Sequence, residues 1–188
     1  MKKVYKCELV SKTELCPGIF DFVVKAPEIA ELAEIGQFLH IDCGGKTLLR
    51  RPISICDFGE DFVRFAFQVK GEGTELLAQS KVGDDIDILA PLGHGFTIPK
   101  GKKVAFVGGG IGVPPMLYSA KQADSAIAVL GFRNKDAVIL EEDFNAVCEK
   151  VCIATDDGSY GVHGFTTDIL KEVIGEVDLV CSCGPTPM

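Results

Sequence analysis

Residues 63–69, Val-Arg-Phe-Ala-Phe-Gln-Val, alternate with period two. Val63, Phe65, Phe67 and Val69 therefore share one face of a predicted strand, and Arg64, Ala66 and Gln68 share the other. Three further short β-rich runs precede or follow it: Ile19–Val24, Gln37–Asp42 and Asp85–Leu89. Turn residues separate them at Pro17-Gly18, Gly44-Gly45, Gly59 and Gly83-Asp84. One helix is predicted in this half, Thr74 to Ser80, with Thr74 as its N-cap behind Gly71-Glu72-Gly73. Short strands at this spacing predict a small antiparallel β-barrel. From Lys102 the rhythm changes. Predicted strands Val104–Val107, Ala126–Leu130, Val151–Ala154 and Val177–Cys181 alternate with helices near Pro114–Gln122, Leu140–Glu149 and Thr166–Ile174. That alternation predicts an α/β unit with a parallel sheet, which takes ligands beyond the carboxyl ends of its strands. Pro91-Leu92-Gly93 and Pro99-Lys100-Gly101 bracket the join, so two domains are expected, 1–98 and 99–188.

Composition narrows the function. The chain has 188 residues, 47% hydrophobic, with a formal net charge of −8. An excess of carboxylates argues against nucleic acid or an anionic membrane as a partner. Lys2, Lys3, Lys6 and Glu8 leave no room for an apolar signal core. The long uncharged stretch from Val104 to Ala120 carries four glycines and two prolines, too many breakers for a membrane span. The expectation is a soluble, cytoplasmic protein. Eight cysteines lie scattered at 7, 16, 43, 56, 148, 152, 181 and 183, which fits reduced thiols used as small apolar residues. Neither Cys148-x3-Cys152 nor Cys181-x-Cys183 has the Cys-x2-Cys spacing of a zinc knuckle, so no metal site is expected.

Four segments carry candidate chemistry. In Leu48-Leu49-Arg50-Arg51-Pro52-Ile53-Ser54-Ile55, Arg51 can fork onto a pyrophosphate, Pro52 removes a backbone donor, and the Ser54 hydroxyl can reach a ring nitrogen. Taken alone, it reads more readily as an edge strand with an ordinary surface arginine. Val69-Lys70-Gly71-Glu72-Gly73-Thr74 leads into a helix whose free amides attract phosphate, or is simply a glycine turn with a threonine cap. Gly108-Gly109-Gly110-Ile111-Gly112-Val113-Pro114-Pro115 follows a strand and opens a helix, the context in which glycines let backbone approach a pyrophosphate. It departs from the dinucleotide fingerprint because Pro115 stands where a third glycine would fall. Cys181-Ser182-Cys183-Gly184-Pro185-Thr186-Pro187-Met188 follows the last strand and would put Cys183 at the ligand edge of the sheet or bury it as a strand-end thiol.

In this order the four segments resemble the ferredoxin–NADP reductase superfamily across essentially the whole chain. Two more phrases, Pro91-Leu92-Gly93-His94-Gly95-Phe96 and Asp157-Gly158-Ser159-Tyr160-Gly161, taken with Leu48-to-Ile55, Gly71-to-Thr74, Gly108-to-Pro115 and Cys183-to-Met188, make it similar to the electron-transfer subunits of the two-subunit, NAD-dependent dihydroorotate dehydrogenases. The resemblance implies an FAD-binding barrel followed by an NAD-binding domain. It implies FAD held by Arg51, Pro52, Ile53 and Ser54, with Ser54 at the reactive edge of the isoalloxazine. Ala66, Phe67 and Gln68 would line the cofactor, and Gly73 and Thr74 would meet its pyrophosphate. Gly109, Gly110 and Gly112 would accommodate NAD as substrate, with Cys183 and Gly184 at the nicotinamide. Ser54 and Cys183 would be the catalytic pair, placing two rings for hydride transfer. The implied partner is a catalytic, FMN-containing dihydroorotate dehydrogenase subunit in a hetero-oligomer serving pyrimidine biosynthesis.

One departure stands out. The resembled family carries a [2Fe–2S] cluster on four cysteines beyond the Cys-Gly-Pro turn, and the plant-type spacing occurs nowhere in residues 1–188. The expectation is a chain whose NAD-binding domain is incomplete at its C-terminus and which binds FAD, in its barrel, and no iron. Two other readings remain open. One is the flavin subunit of an NADH-dependent ferredoxin–NADP oxidoreductase or sulfide dehydrogenase; the other is a non-catalytic flavin- or nucleotide-binding regulatory domain. NAD and NADP are not separated by sequence, since Arg133 and Lys135 could meet a 2′-phosphate or form a solvated loop.

Overall fold

A computed structural model describes residues 3–45 and 47–185. The chain divides into two units, residues 1–96 and 97–188. The first contains β1 (Lys3–Cys16), β2 (Ile19–Lys25), α1 (Pro27–Ala30), β3 (Phe38–Ile41), β4 (Arg51–Phe58), β5 (Phe62–Gln68), α2 (Glu72–Ala78) and β6 (Asp85–Leu92). Its six strands close into an antiparallel barrel in the order β1-β2-β5-β4-β3-β6. The alternation read in residues 63–69 is realised: Val63, Phe65 and Phe67 are buried, and the rings of Phe65 and Phe67 pack with Phe22. Leu9, Leu39, Ile41 and Ile88 complete this core.

β1 has no counterpart among the predicted strands, although its signal is present. Tyr5, Cys7 and Leu9 alternate with charged or exposed neighbours and are all buried. The lysines and glutamates between them occupy the outer face, where they cost a strand nothing. β6 runs on to Leu92, so Pro91 lies within the strand; with no N–H to give to the ladder, it sits where the pairing with β3 slips register between Phe38 and His40.

The second unit contains β7 (Lys103–Gly109), α3 (Pro114–Lys121), β8 (Ser125–Phe132), α4 (Glu141–Asn145), β9 (Lys150–Thr155), β10 (Val162–His163), α5 (Thr166–Val173) and β11 (Leu179–Cys183). Its strands form one parallel sheet in the order β10-β9-β8-β7-β11. β7 and β8, flanked on both sides, are almost entirely buried. Several boundaries differ from the sequence expectation, two of them with a visible local contact. α4 stops at Asn145 rather than Glu149, because the chain enters β9 at Lys150 after Glu149 N–H bonds to Ala126 O. β11 begins at Leu179, since Asp178 is engaged as a cap, its carboxylate accepting from Lys103 N–H at 2.9 Å and Lys102 Nζ at 3.0 Å. No helix among the described residues is long and apolar enough to cross a membrane.

Candidate functional site

In the barrel unit, β4 divides its hydrogen bonding between two neighbours. Residues 51–54 pair with β3 through Arg51↔Ile41, Pro52↔His40, Ile53↔Leu39 and Ser54↔Phe38. Residues 55–58 pair with β5, with a bulge between Ile55 and Asp57. Continuing the Ile55↔Phe65 register would set Ser54, Ile53 and Pro52 against Ala66, Phe67 and Gln68, yet the ladder does not continue there. Residues 51–54 and 66–68 therefore each keep one backbone edge unpaired by the neighbouring strand. Open edges are costly unless something covers them. These are the two strand segments that the resemblance assigns to flavin. Pro52 and Ser54 are exposed, and Ile53 packs partly against the core. The Phe67 ring points inward, 5.1 Å from Phe22 and 5.9 Å from Phe20 between centroids, so residue 67 has only backbone to offer a ligand.

The fold also brings Arg51 to the start of α2. A Cβ placed on Gly73 would lie 2.8 Å from Arg51 Nε and 2.9 Å from Nη2, so the guanidinium rests on the backbone of the helix's first turn. The first i→i−4 bond of α2 runs from Glu75 N–H to Gly71 O at 3.0 Å, which leaves the amides of Glu72, Gly73 and Thr74 outside the helical ladder. A guanidinium beside free amides is a cradle for a phosphate. Thr74 is not the N-cap. Gly71, at φ +130°, lets the helix begin earlier, and the Thr74 hydroxyl serves from inside the first turn, accepting Lys70 N–H at 2.7 Å and donating to Gly71 O at 3.0 Å. Arg50 is a structural residue that sequence reasoning left unassigned. Its guanidinium pairs with Asp87 of β6 at 2.6 Å and donates to the His40 carbonyl at 3.3 Å, anchoring the chain just before Arg51.

In the second unit, strand order reverses between β7 and β11, and the crevice beyond their carboxyl ends is where such sheets take ligands. Gly108–Gly112 turns there, with Gly110 at φ +53° and a single 3₁₀ turn leading into Pro114. Gly112 is the tightest point: a Cβ on it would lie 2.3 Å from Cys183 O and 2.8 Å from Gly184 Cα. Thus the third and fourth segments meet backbone to backbone. Gly109 is buried at the end of β7, and Cys183 pairs with Gly108 at the end of β11. Burial pushes the Cys183 thiol above its ordinary pKa, so it is a neutral thiol at neutral pH, able to pack or donate weakly but not to act as a base. Gly184 is exposed, and Thr186–Met188 lie outside the described residues.

Arg133 and Lys135 are exposed beyond the end of β8. Lys135 N–H donates to Ser159 Oγ at 2.8 Å, and the Tyr160 hydroxyl donates to Glu141 Oε1 at 2.9 Å. Asp157 accepts from both the amide and the hydroxyl of Ser159, which lowers its pKa. The Asp157–Gly161 phrase is thereby a laced turn tied to the β8 loop. Among the described residues no cluster of three or more His, Cys, Asp or Glu side chains is placed to hold a metal ion.

A closed antiparallel barrel followed by a parallel sheet with a glycine turn at its reversal point is the ferredoxin–NADP reductase type of fold. The NADH-dependent reduced ferredoxin–NADP oxidoreductase structure superposes with a TM-score of 0.86 at 31% identity, covering 97% of this chain and 68% of that one. A Neisseria gonorrhoeae ferredoxin NADP+ reductase with bound FAD and NADP shares the fold at a TM-score of 0.77 and 19% identity, over 98% of this chain and 87% of that one. No protein-family model matches the chain. Among curated proteins, the dihydroorotate dehydrogenase B (NAD+) electron transfer subunit of Streptococcus mutans is 43% identical over 96% of this chain and 73% of its own length. The protein of the same name from Caldanaerobacter subterraneus subsp. tengcongensis is 48% identical over 81% of this chain and 62% of its own length. The chain thus spans about three fifths to three quarters of these relatives. It belongs to the family of dihydroorotate dehydrogenase B electron transfer subunits, oxidoreductases of electron transfer.

Proposed function

We propose that the barrel binds FAD and the parallel-sheet unit binds NAD(H), and that the chain carries electrons between NAD and a catalytic, FMN-containing subunit that oxidises dihydroorotate in pyrimidine biosynthesis. The observation that carries this reading is the open seam between residues 51–54 and 66–68, with the Arg51 guanidinium laid on Gly73 at one end of it. An isoalloxazine ring needs an exposed backbone edge to hydrogen-bond its polar rim, and a pyrophosphate needs a cation beside free amides; the seam and the start of α2 offer both. Arg51 would bind the pyrophosphate, Ser54 would donate to the ring edge, and the Gly73 and Thr74 amides would complete the phosphate contacts. In the other unit Gly109, Gly110 and Gly112 would admit the dinucleotide backbone, and Cys183 and Gly184 would pack at the nicotinamide, with the thiol kept neutral by burial. FAD, when bound, supplies the step from hydride to single-electron transfer.

The purified protein should be yellow, release FAD rather than FMN on denaturation, and bleach anaerobically with NADH. A colourless protein, or one whose flavin ignores NADH, overturns the reading. The likeness to the NADH-dependent ferredoxin–NADP oxidoreductase favours a second reading, in which the electrons come from a different partner. Identification of the co-purifying subunit separates the two.

A further inference from the structure

Lysines rarely stand on the inner face of a barrel wall, and Lys12 does. Cross-strand partners share a face, and Lys12 pairs with Phe22, whose ring is fully buried in the barrel core. Leu9, also fully buried, pairs with Val24 on that same face. Strict alternation would put residues 9 and 12 on opposite faces. The bulge between Leu9 and Ser11 supplies the extra residue that brings both to one side. The half-buried ammonium then lies 5.3 Å from the Phe20 ring centroid and 5.9 Å from that of Phe22. It donates to Ala78 O at 2.5 Å and to Ser80 O at 3.0 Å. These carbonyls lie at the C-terminal end of α2, where the helix leaves its acceptors unpaired and its dipole is negative. The last turn of α2 holds no basic residue, so the charge comes from β1 instead.

What this does follows from the shape of α2. The helix has seven residues and is about 10 Å long. Of its large side chains only Leu77 is buried, so packing gives the helix one pivot. The carbonyls gripped by Lys12 give it a second fixed point, and two points set the direction of its axis. At the opposite end the Arg51 guanidinium rests on Gly73, so closely that a Cβ there would come within 2.8 Å of Nε. Arg51 Nη1 meanwhile donates to the Leu49 carbonyl, which leaves the α2 backbone as the other surface that fixes the guanidinium. A tilt of α2 about Leu77 therefore moves Arg51. We propose that Lys12 is a positioning residue: by holding the C-terminal carbonyls of α2 it sets the place of the Arg51 guanidinium from the far end of the helix. The proposal rests on the flavin reading above, in which Arg51 meets the pyrophosphate.

Lys12→Met keeps a long stem against Phe20 and Phe22 but loses the charge and the donors, whereas Lys12→Arg keeps both. The apoproteins of these variants, of Arg51→Ala and of the Lys12→Met/Arg51→Ala double variant are titrated with FAD by flavin fluorescence quenching. Lys12→Met should bind FAD roughly tenfold more weakly, part of what a charge-assisted phosphate contact contributes. Lys12→Arg should recover most of that loss. In the Arg51→Ala background the same Lys12→Met change should alter FAD affinity by less than about twofold, because no guanidinium is left to misplace. Should Lys12→Met not fold, Lys12→Gln, which keeps a donor without the charge, enters the same cycle. Unaltered FAD affinity in Lys12→Met overturns the proposal. A loss that persists undiminished in Arg51→Ala also overturns it, since Lys12 would then act on the fold rather than through Arg51, and so does a Lys12→Arg variant that recovers nothing. Failure of the unmodified chain to bind FAD at all would instead sink the flavin reading itself.

Discussion

Replacing Gly112 by alanine adds one methyl group at the place where the Gly108–Gly112 turn and the Cys183–Gly184 turn touch. The new Cβ would sit 2.3 Å from the Cys183 carbonyl oxygen, 2.6 Å from its carbon and 2.8 Å from Gly184 Cα. All three are backbone atoms, so no side-chain rotation relieves the clash. Ordinary contact begins near 3.4 Å, and the Cys183–Gly184 turn must therefore retreat by about 1 Å. β11 resists, since Cys183 is held in register with Gly108 by the parallel ladder. Overpacking of this kind costs about 1–3 kcal/mol, to be shared between lost stability and a displaced turn. A displacement of that size at a hydride-transfer site is worth on the order of a hundredfold in rate. The expected outcome is normal FAD content, a lowered midpoint for the second unit, and NADH-driven flavin bleaching slowed by one to two orders of magnitude in stopped flow. Gly110→Ala provides the contrast, because nothing lies within 4 Å of its Cβ and only its φ of +53° opposes a side chain. Wild-type bleaching kinetics in Gly112→Ala would refute the placement of the nicotinamide end beside this turn.

Arg51→Ala should weaken FAD by about 1.5–3 kcal/mol through loss of a charge-assisted phosphate contact, measured by titration of the apoprotein; unchanged affinity would remove Arg51 from the pyrophosphate site. Cys183→Ala should retain FAD but slow its reduction by NADH, and an unaltered rate would return Cys183 to the structural thiols. In alkaline solution the protein should lose stability. Burial raises the Cys7 and Cys148 thiols from 9.0 to about 11, so the unfolded chain ionises first and the stabilisation present below pH 9.0 is lost as pH rises towards 11. Urea midpoints under reducing conditions should fall across that window and fall less in Cys7→Ala, whereas a flat profile would contradict the burial of these thiols.

Periodicity and punctuation were enough to make β2, β3, β5, β6 and, in the parallel sheet, β7, β8, β9, β11 and the helices legible, because each buries one face or lies wholly inside and its residue pattern says so; β10, two exposed residues at the sheet edge, carries no such pattern. The change from period-two runs to alternating strands and helices near residue 100 was legible for the same reason. β1 was less so: Tyr5, Cys7 and Leu9 carry the right alternation, but Lys3, Lys6, Glu8 and Lys12 make the segment read as a charged terminus until β2 and β6 are there to pair with it. The start of α2 was misread because Thr74 is a good cap by type, and only the backbone at Gly71 shows the helix already under way. The candidate residues were nameable from short phrases, yet their assembly was not. Nothing near Arg51 in the chain announces Gly73, and nothing near Gly112 announces Cys183; barrel closure and sheet order create those contacts. The unpaired seam is of the same kind. It exists because β4 gives one half of its length to β3 and the other to β5, a division set by strand register, which is a property of pairs of strands and is absent from any one of them.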